Sequence, residues 1–423
     1  MHAPVVARLG AALPGRRVRR PGRRPEVPSP REPDVDLGPT PDPDGRPPVH
    51  PLVAEVCAAL DGAGVRWALL RGERELGDPR GDVDILIGGP GELRAVRRAL
   101  RPLGVVAVPR LGAGAHRHFW GYHRPTRRWL EFDVEWSLDF GPQLHFTLNW
   151  LVPALQSGAT RAVLARRRRA PDLPGAWVLH PDDGFWALLL HAVVDKARVA
   201  PRYADRLGEL GEHATPSSPL AEVVTAACPP GWDAARVIGR ARVGDWPALV
   251  ALGRVLARRA SARRPVTQRA RALGRGLHRL GTALRAARAT GGSTVAIVGP
   301  EGSGTSAVAA GLVSGLPLPA RLVPVDPGRR LLGRRRCLRR AYHRLRGHLV
   351  VFDDPAGEAA RDCRPDVVIV LDLPDAARPR SVEFVEPAAH VVPADRPHDE
   401  VLADVTAIVW RAWTTRRPRT GRG

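Results

Sequence analysis

The chain has 423 residues, 44% of them hydrophobic, and carries 65 Lys+Arg against 43 Asp+Glu, for a formal net charge of +22. That length supports two or three domains, each with its own core, and the charge favours polyanionic partners such as nucleotides, nucleic acid or an anionic membrane surface. The four cysteines are scattered, with no C-x-x-C pair and no His/Cys cluster at metal spacing, which argues against a disulfide framework or structural zinc and for a reduced, cytoplasmic protein.

The longest apolar run, near residues 185–190, is far short of the ~20 residues needed to cross a bilayer, so no membrane span is expected. Arginine enrichment accompanies 43 Gly, 43 Pro and a single Met, and the only lysine is Lys196. Such a pattern resembles a genome-wide bias, so charge alone makes nucleic acid a possible partner and not a favoured one.

Residues 1–48 are rich in Arg and Pro and read as a disordered basic tail. HPLVAEVCAALDGAG then places Leu52, Val53, Val56 and Leu60 on one helical face. Strands are expected over 65–70 and 83–87, a helix over 92–103, and further strands over 105–108, 118–123 and 129–136. The resulting small α/β domain spans 49–150. Residues 151–290 read as mainly helical, with proline breaks near 213–219 and 229–231. Within them Leu273, Leu277, Leu280 and Leu284 recur among arginines at amphipathic-helix spacing.

A second α/β domain is expected over 293–413, with strands at 295–298, 349–352, 367–371 and 390–392. A basic helix near 331–346 and a closing helix from 398 to about 413 complete it, and 414–423 form a basic tail. The overall expectation is an α/β protein whose second domain is built on a parallel sheet.

Two carboxylate patterns stand out in the first domain. In GDVDILI, Asp82 and Asp84 flank Val83, and in a strand residues i and i+2 point to the same side. In LEFDVEW, Glu131, Asp133 and Glu135 likewise share one face. Carboxylates converging from two strands suit hard divalent cations, which bridge phosphate oxygens during an in-line displacement. His180 and His191, in the helical region, are expected to pack or cap and not to act as ligands.

Gly72 at a strand end, the D-x-D ten residues later and an acid on a later strand together resemble the nucleotidyltransferase fold of the DNA polymerase beta superfamily. The similarity is to its bacterial nucleotidyltransferase-like branch, on WALLRGERELGDPRGDVDILI, LEFDVEWSL and LHPDDGFWALLLHAVVD. It implies that Asp82, Asp84 and Asp133 are catalytic and bind Mg²⁺ or Mn²⁺, and that Gly72 contacts ATP or another nucleoside triphosphate. Glu73 stands where many members have serine, which removes a hydroxyl contact to the triphosphate.

The stretch VAIVGPEGSGTS at 295–306 matches the phosphate-binding loop G-x-x-x-x-G-K-[ST] except that Thr305 replaces the lysine. Its backbone N–H groups and the following helix N-terminus can still receive an anion, through Gly299, Gly302, Ser303, Gly304, Thr305 and Ser306. The C-terminal part resembles thymidylate kinase and its nucleoside-monophosphate kinase relatives. In HLVVFDDP, Asp353 matches the family's magnesium-holding Asp, whereas Asp354 replaces the arginine that grips the acceptor, and the chain between 380 and 391 is too short for a full lid.

With loop lysine, acceptor arginine and most of the lid missing, the positive charge on which phosphoryl transfer relies is depleted. Arg329, Arg330 and the arginines at 334–336 could in principle replace some of it, but a solvated basic helix accounts for them better. The leading expectation is a metal-dependent nucleotidyltransferase, acting on a nucleoside triphosphate and an unknown acceptor, fused to a degenerate nucleotide-binding P-loop domain. A kinase with a non-standard loop and a non-catalytic nucleotide- or nucleic-acid-binding protein are the alternatives.

Overall fold

A computed structural model describes residues 49–72, 75–79, 81–108, 116–141, 155–170, 173, 175–262, 293–318, 320–325, 348–374 and 389–416. The basic N-terminal tail, Glu73, the leucine-spaced helix at 273–284, the arginine-rich helix at 331–346, the shortened lid and residues 417–423 lie outside the described residues. The fold is α/β, with one mixed seven-stranded sheet and one all-parallel five-stranded sheet.

The chain opens with α1 (Pro51–Gly62), whose N-terminus is capped by His50: the ring Nδ1 accepts from Leu52 N at 3.2 Å. Then come β1 (Trp67–Leu69), β2 (Val83–Ile87), α2 (Leu93–Leu100), β3 (Val106–Ala107), β4 (His116–His123) and β5 (Arg128–Glu135). Helix α2 is shorter than the 92–103 expected because Pro102 sits in a separate 3₁₀ turn.

Among its described residues the segment 151–290 contributes three two-residue strands besides its helices. It contributes β7 (Leu155–Gln156), which pairs with β6 (Asp139–Phe140), then α3 (Thr160–Ala165), β8 (Arg168–Arg169) and β9 (Trp177–Val178). Strand β9 pairs with β1 and extends the first sheet to the order β3-β4-β5-β2-β1-β9-β8. The described part of this region is mainly helical, as the sequence suggests, and the short strands are an addition: two-residue strands are too short to register in hydrophobic periodicity. Helices α4 (Pro181–Leu190), α5 (Pro201–Glu212), α6 (Pro219–Ala227), α7 (Ala234–Arg242) and α8 (Trp246–Ala262) follow.

The sheet separates two cores. Trp67, Leu69, Ile85, Ile87, Phe119, Phe132 and Val134 point toward α1 and α2. On the other face Ala68 and Leu86 join the apolar side of α4 to α8. Every residue of β2 is therefore buried, as expected of a strand covered on both sides. Asp84, Asp133 and Glu135 are the exceptions in kind, buried carboxylates in an otherwise apolar sheet.

The second sheet contains β10 (Thr294–Val298), β11 (Ala320–Pro324), β12 (Leu349–Asp353), β13 (Val367–Asp372) and β14 (His390–Pro393), in the order β11-β12-β10-β13-β14. Between them lie α9 (Thr305–Gly315) and the short α10 (Glu358–Cys363), with α11 (His398–Arg416) at the end. Helix α11 continues past the expected stop near 413, so Thr414, buried at 6% exposure, belongs to the helix and not to a tail.

Helix α11 also joins the two sheets. Trp410 meets Trp129 edge-on at 4.8 Å between centroids, stacks with Trp413 at 5.0 Å, and donates its Nε1–H to the Gly104 carbonyl at 2.8 Å. Arg124 and Arg127, in the β4–β5 turn, pair with Asp404 and with Asp399 and Glu400 of this helix. Among the described residues no helix is long and apolar enough to cross a membrane.

Candidate functional site: an acidic cleft and a glycine loop

Strand register assembles the acidic site. Asp84 on β2 and Asp133 on β5 are partners in adjacent parallel strands, so their side chains lie on one face of the sheet. Asp82 precedes Asp84 by two residues and joins them at the strand mouth. Ligand atoms of Asp82, Asp84 and Asp133 all lie within 4.8 Å of one another. Asp84 and Asp133 are each 4% exposed, whereas Asp82 is open to solvent. Gly72 closes the β1 turn at φ +76°, a left-handed conformation that favours glycine, and lines the same cleft.

Strand β4 adds histidines that the sequence reading had not assigned to the site. His116 opposes Glu135 across the antiparallel pair, and His118 opposes Asp133. His116 Nδ1 lies 3.0 Å from Asp133 Oδ2 and 3.5 Å from Glu135 Oε1, and His118 Nδ1 lies 3.0 Å from Glu131 Oε1. A second group, His116, Asp133 and Glu135, thus shares Asp133 with the first. The signal was present in the alternation of HRHFW against LEFDVEW, but it has meaning only once the two strands are paired.

Electrostatics follow from crowding three buried carboxylates, Asp84, Asp133 and Glu135, into one corner with Asp82 at its mouth. Burial, partly offset by Arg71, pushes the Asp84 carboxyl well above its ordinary range, and burial raises Glu135 as well. Burial works the same way on Asp133 but is outweighed by the hydrogen bond and charge of His116, so Asp133 lies below its usual value. Burial opposes a charged His116, yet Glu135 and Asp133 overcome it and hold this imidazole up at about 9. Arg71 supplies the other positive charge, with Nη2 2.7 Å from Asp84 Oδ1.

The acids open into a cavity of about 1050 Å³. Lys196, Arg198 and Arg202, around the start of α5, line it as well, as does an apolar stretch formed by Cys57, Leu76 and Val178. The end of α4 widens into a single π-helical turn, His191–Asp195, a distortion often found at functional sites. His191 faces the cleft and is held through Nδ1 by Asp195 Oδ2 at 2.9 Å, while Asp195 Oδ1 accepts from Gly141 N at 2.6 Å. Burial drives His191 down to about 2 and Asp195 up to about 7. His180 occupies the position preceding α4 without a side-chain capping bond, and its ring lies 3.4 Å from Arg166 Nη2.

The glycine loop forms at the end of β10. Gly302 and Gly304 adopt φ of +87° and +79°, and Gly304 caps α9. Gly299 sits in a crowded spot: a Cβ there would lie 2.4 Å from Ser303 Oγ and 3.0 Å from the Leu371 carbonyl oxygen. Thr305, the first residue of α9, is buried and Ser306 is exposed. Ser303 Oγ is buried without a hydrogen-bond partner among the described residues, as is Oδ1 of Asp353, which ends β12 in register with Ile297.

Asp354, next to Asp353, is taken up by a helix end. It is fully buried, and its Oδ2 accepts from Ala360 N at 2.8 Å, capping α10. Comparisons with family models, curated proteins and solved structures found no match to this chain.

Proposed function

We propose that the N-terminal half is a nucleotidyltransferase-like domain that transfers a nucleotidyl group from ATP or another nucleoside triphosphate to an acceptor. The observation that carries this reading is the convergence of Asp82, Asp84 and Asp133 within 4.8 Å at the floor of a cleft with a basic flank. The donor set is all oxygen, two members are buried and one is open, which fits a hard divalent cation such as Mg²⁺ or Mn²⁺. Bound there, such an ion would stabilise charge on the transferring phosphoryl group.

The remaining work falls to this chain's residues. Lys196, Arg198 and Arg202 would receive the polyphosphate, and the apolar stretch near Cys57 and Val178 offers a surface for a base or sugar. An acceptor oxygen would bond to the α-phosphorus as pyrophosphate departs with the bridging oxygen. The C-terminal half, on this reading, is a thymidylate-kinase-like P-loop domain that binds a nucleotide through backbone N–H groups without the lysine needed for transfer.

Incubation with α-labelled and γ-labelled ATP tests the assignment. Label passing to an acceptor from the α position, and lost in Asp82→Ala and Asp84→Ala, supports it. Passage from the γ position would replace it with a kinase whose loop works without lysine. If neither label moves while oligonucleotide binding falls steeply with salt, the chain is a binding protein.

A further inference from the structure

The acidic site carries its own cation. Arg71 sits between β1 and the left-handed Gly72, and its side chain borders both the main cleft and a small cavity of about 20 Å³ behind the acids. Its Nη2 is 2.7 Å from Asp84 Oδ1 and 3.9 Å from Glu135 Oε1. The guanidinium thus touches one member of the metal-fitting triad and lies close to an acid of the neighbouring group. Its side chain is 21% exposed, on the cleft side.

Arg71 and an incoming cation need the same carboxylate. Asp84 is buried, so its oxygens have few other positions in which to satisfy two positive partners at once. Like charges brought together at one carboxylate repel, more strongly in a partly buried corner than in water. Among the described residues a single N–H of Arg71 is engaged at hydrogen-bond distance. The planar fork therefore has donors left over, and its geometry suits phosphate oxygens. A long side chain can move from the acids to the cleft without any change in the sheet.

We propose that Arg71 is the resident counter-ion of this site: it holds Asp84 in the metal-free protein, yields Asp84 to a divalent cation, and then pairs with substrate phosphate in the same cleft. Arg71 is a positioning residue in the first state and a phosphate ligand in the second. The proposal rests on the metal-dependent reading above and adds an order of events to it, cation entry before productive phosphate binding.

Mn²⁺ titration of the full chain, read by the loss of free-ion EPR signal, tests this without any acceptor. Arg71→Met should bind Mn²⁺ more tightly than wild type, on the order of tenfold, whereas Arg71→Lys, which keeps the charge, should stay near wild type. With Mn²⁺ saturating, inorganic tripolyphosphate should bind Arg71→Met about tenfold more weakly than wild type. A folded Arg71→Met whose Mn²⁺ affinity is unchanged or reduced overturns the proposal. If Arg71→Met fails to fold, Arg71→Gln in the same titration, together with the shift in melting temperature on adding Mn²⁺, decides the matter by the same criterion.

Asp84→Asn in the Arg71→Met background should abolish the tightened binding. Mn²⁺ affinity indifferent to Asp82→Asn and Asp84→Asn would instead remove the metal site itself, an outcome distinct from failure of the Arg71 exchange.

Discussion

Asp84 and Asp133 are register partners across two parallel strands, so their separation is set by sheet geometry and not by side-chain choice. Strand spacing brings the two carboxylates together whether or not a cation is present. Arg71 and His116 answer that proximity from opposite sides, one at Asp84 and one at Asp133.

Asp82 separates chemistry from folding. It is exposed at the strand mouth, and surface substitutions of this kind change stability by about 0.5 kcal/mol or less. Asp82→Asn should therefore keep the melting temperature within about 2 °C of wild type. The same variant should lower α-label transfer by two orders of magnitude or more. Calorimetry and the transfer assay on one preparation check both halves.

His50 makes stability depend on acid. Its Nδ1 caps α1, and Nε2 lies 2.9 Å from Thr126 Oγ1, so the ring serves as an acceptor at one nitrogen only while neutral. Burial, helped by the charges of His123 and Arg128, lowers its pKa from 6.5 to about 4. Between those values the unfolded chain binds the extra proton, so this contribution is complete above pH 6.5 and is lost as pH falls toward 4. The expected loss is about 1–3 kcal/mol. His50→Asn keeps a capping oxygen that does not titrate; its denaturation midpoint should fall less than that of wild type between pH 7 and pH 4.5.

Trp410 fastens α11 to the first sheet. Trp410→Ala removes a large buried ring and should cost about 3–5 kcal/mol. Trp410→Phe keeps most of the contact but leaves the Gly104 carbonyl unpaired, with an expected cost of about 1–2 kcal/mol. Urea denaturation followed by tryptophan fluorescence orders the two variants, and equal losses would mean that packing contributes nothing beyond the hydrogen bond.

Thr305→Lys restores the missing ammonium to a loop whose glycines already hold the turn. Affinity for a fluorescent ADP analogue should rise by about tenfold, while γ-label transfer stays at background because the other charges of a kinase site are not restored. If neither wild type nor Thr305→Lys binds the analogue, the loop is a structural element alone.

The sequence carried the central strands of both sheets and the three aspartates, because D-x-D spacing and β-branched runs are local signals; it did not carry the edge strand β11, whose ARLVP run alternates too weakly to stand out. It placed Glu135 on the acidic face but did not carry His116, His118 or Arg71 as site members, since each acquires its role from a partner on another strand. The β8 and β9 pair was missed for lack of length. Asp354 shows a different limit: a carboxylate next to a binding loop can turn inward to cap a helix, and only the fold decides which way it faces.

One face of the β4–β5 hairpin changes character along its length. His116, His118, Asp133 and Glu135 occupy one end, and Trp120, Tyr122 and Trp129 the other, where α11 rests. An apolar platform and an ionic site share a single ribbon, a few residues apart. Cutting the chain between the two sheets would leave that platform wet beside the acids. The halves are consequently not separable cassettes, and a fragment lacking α11 would be expected to aggregate through the very strand that carries Asp133.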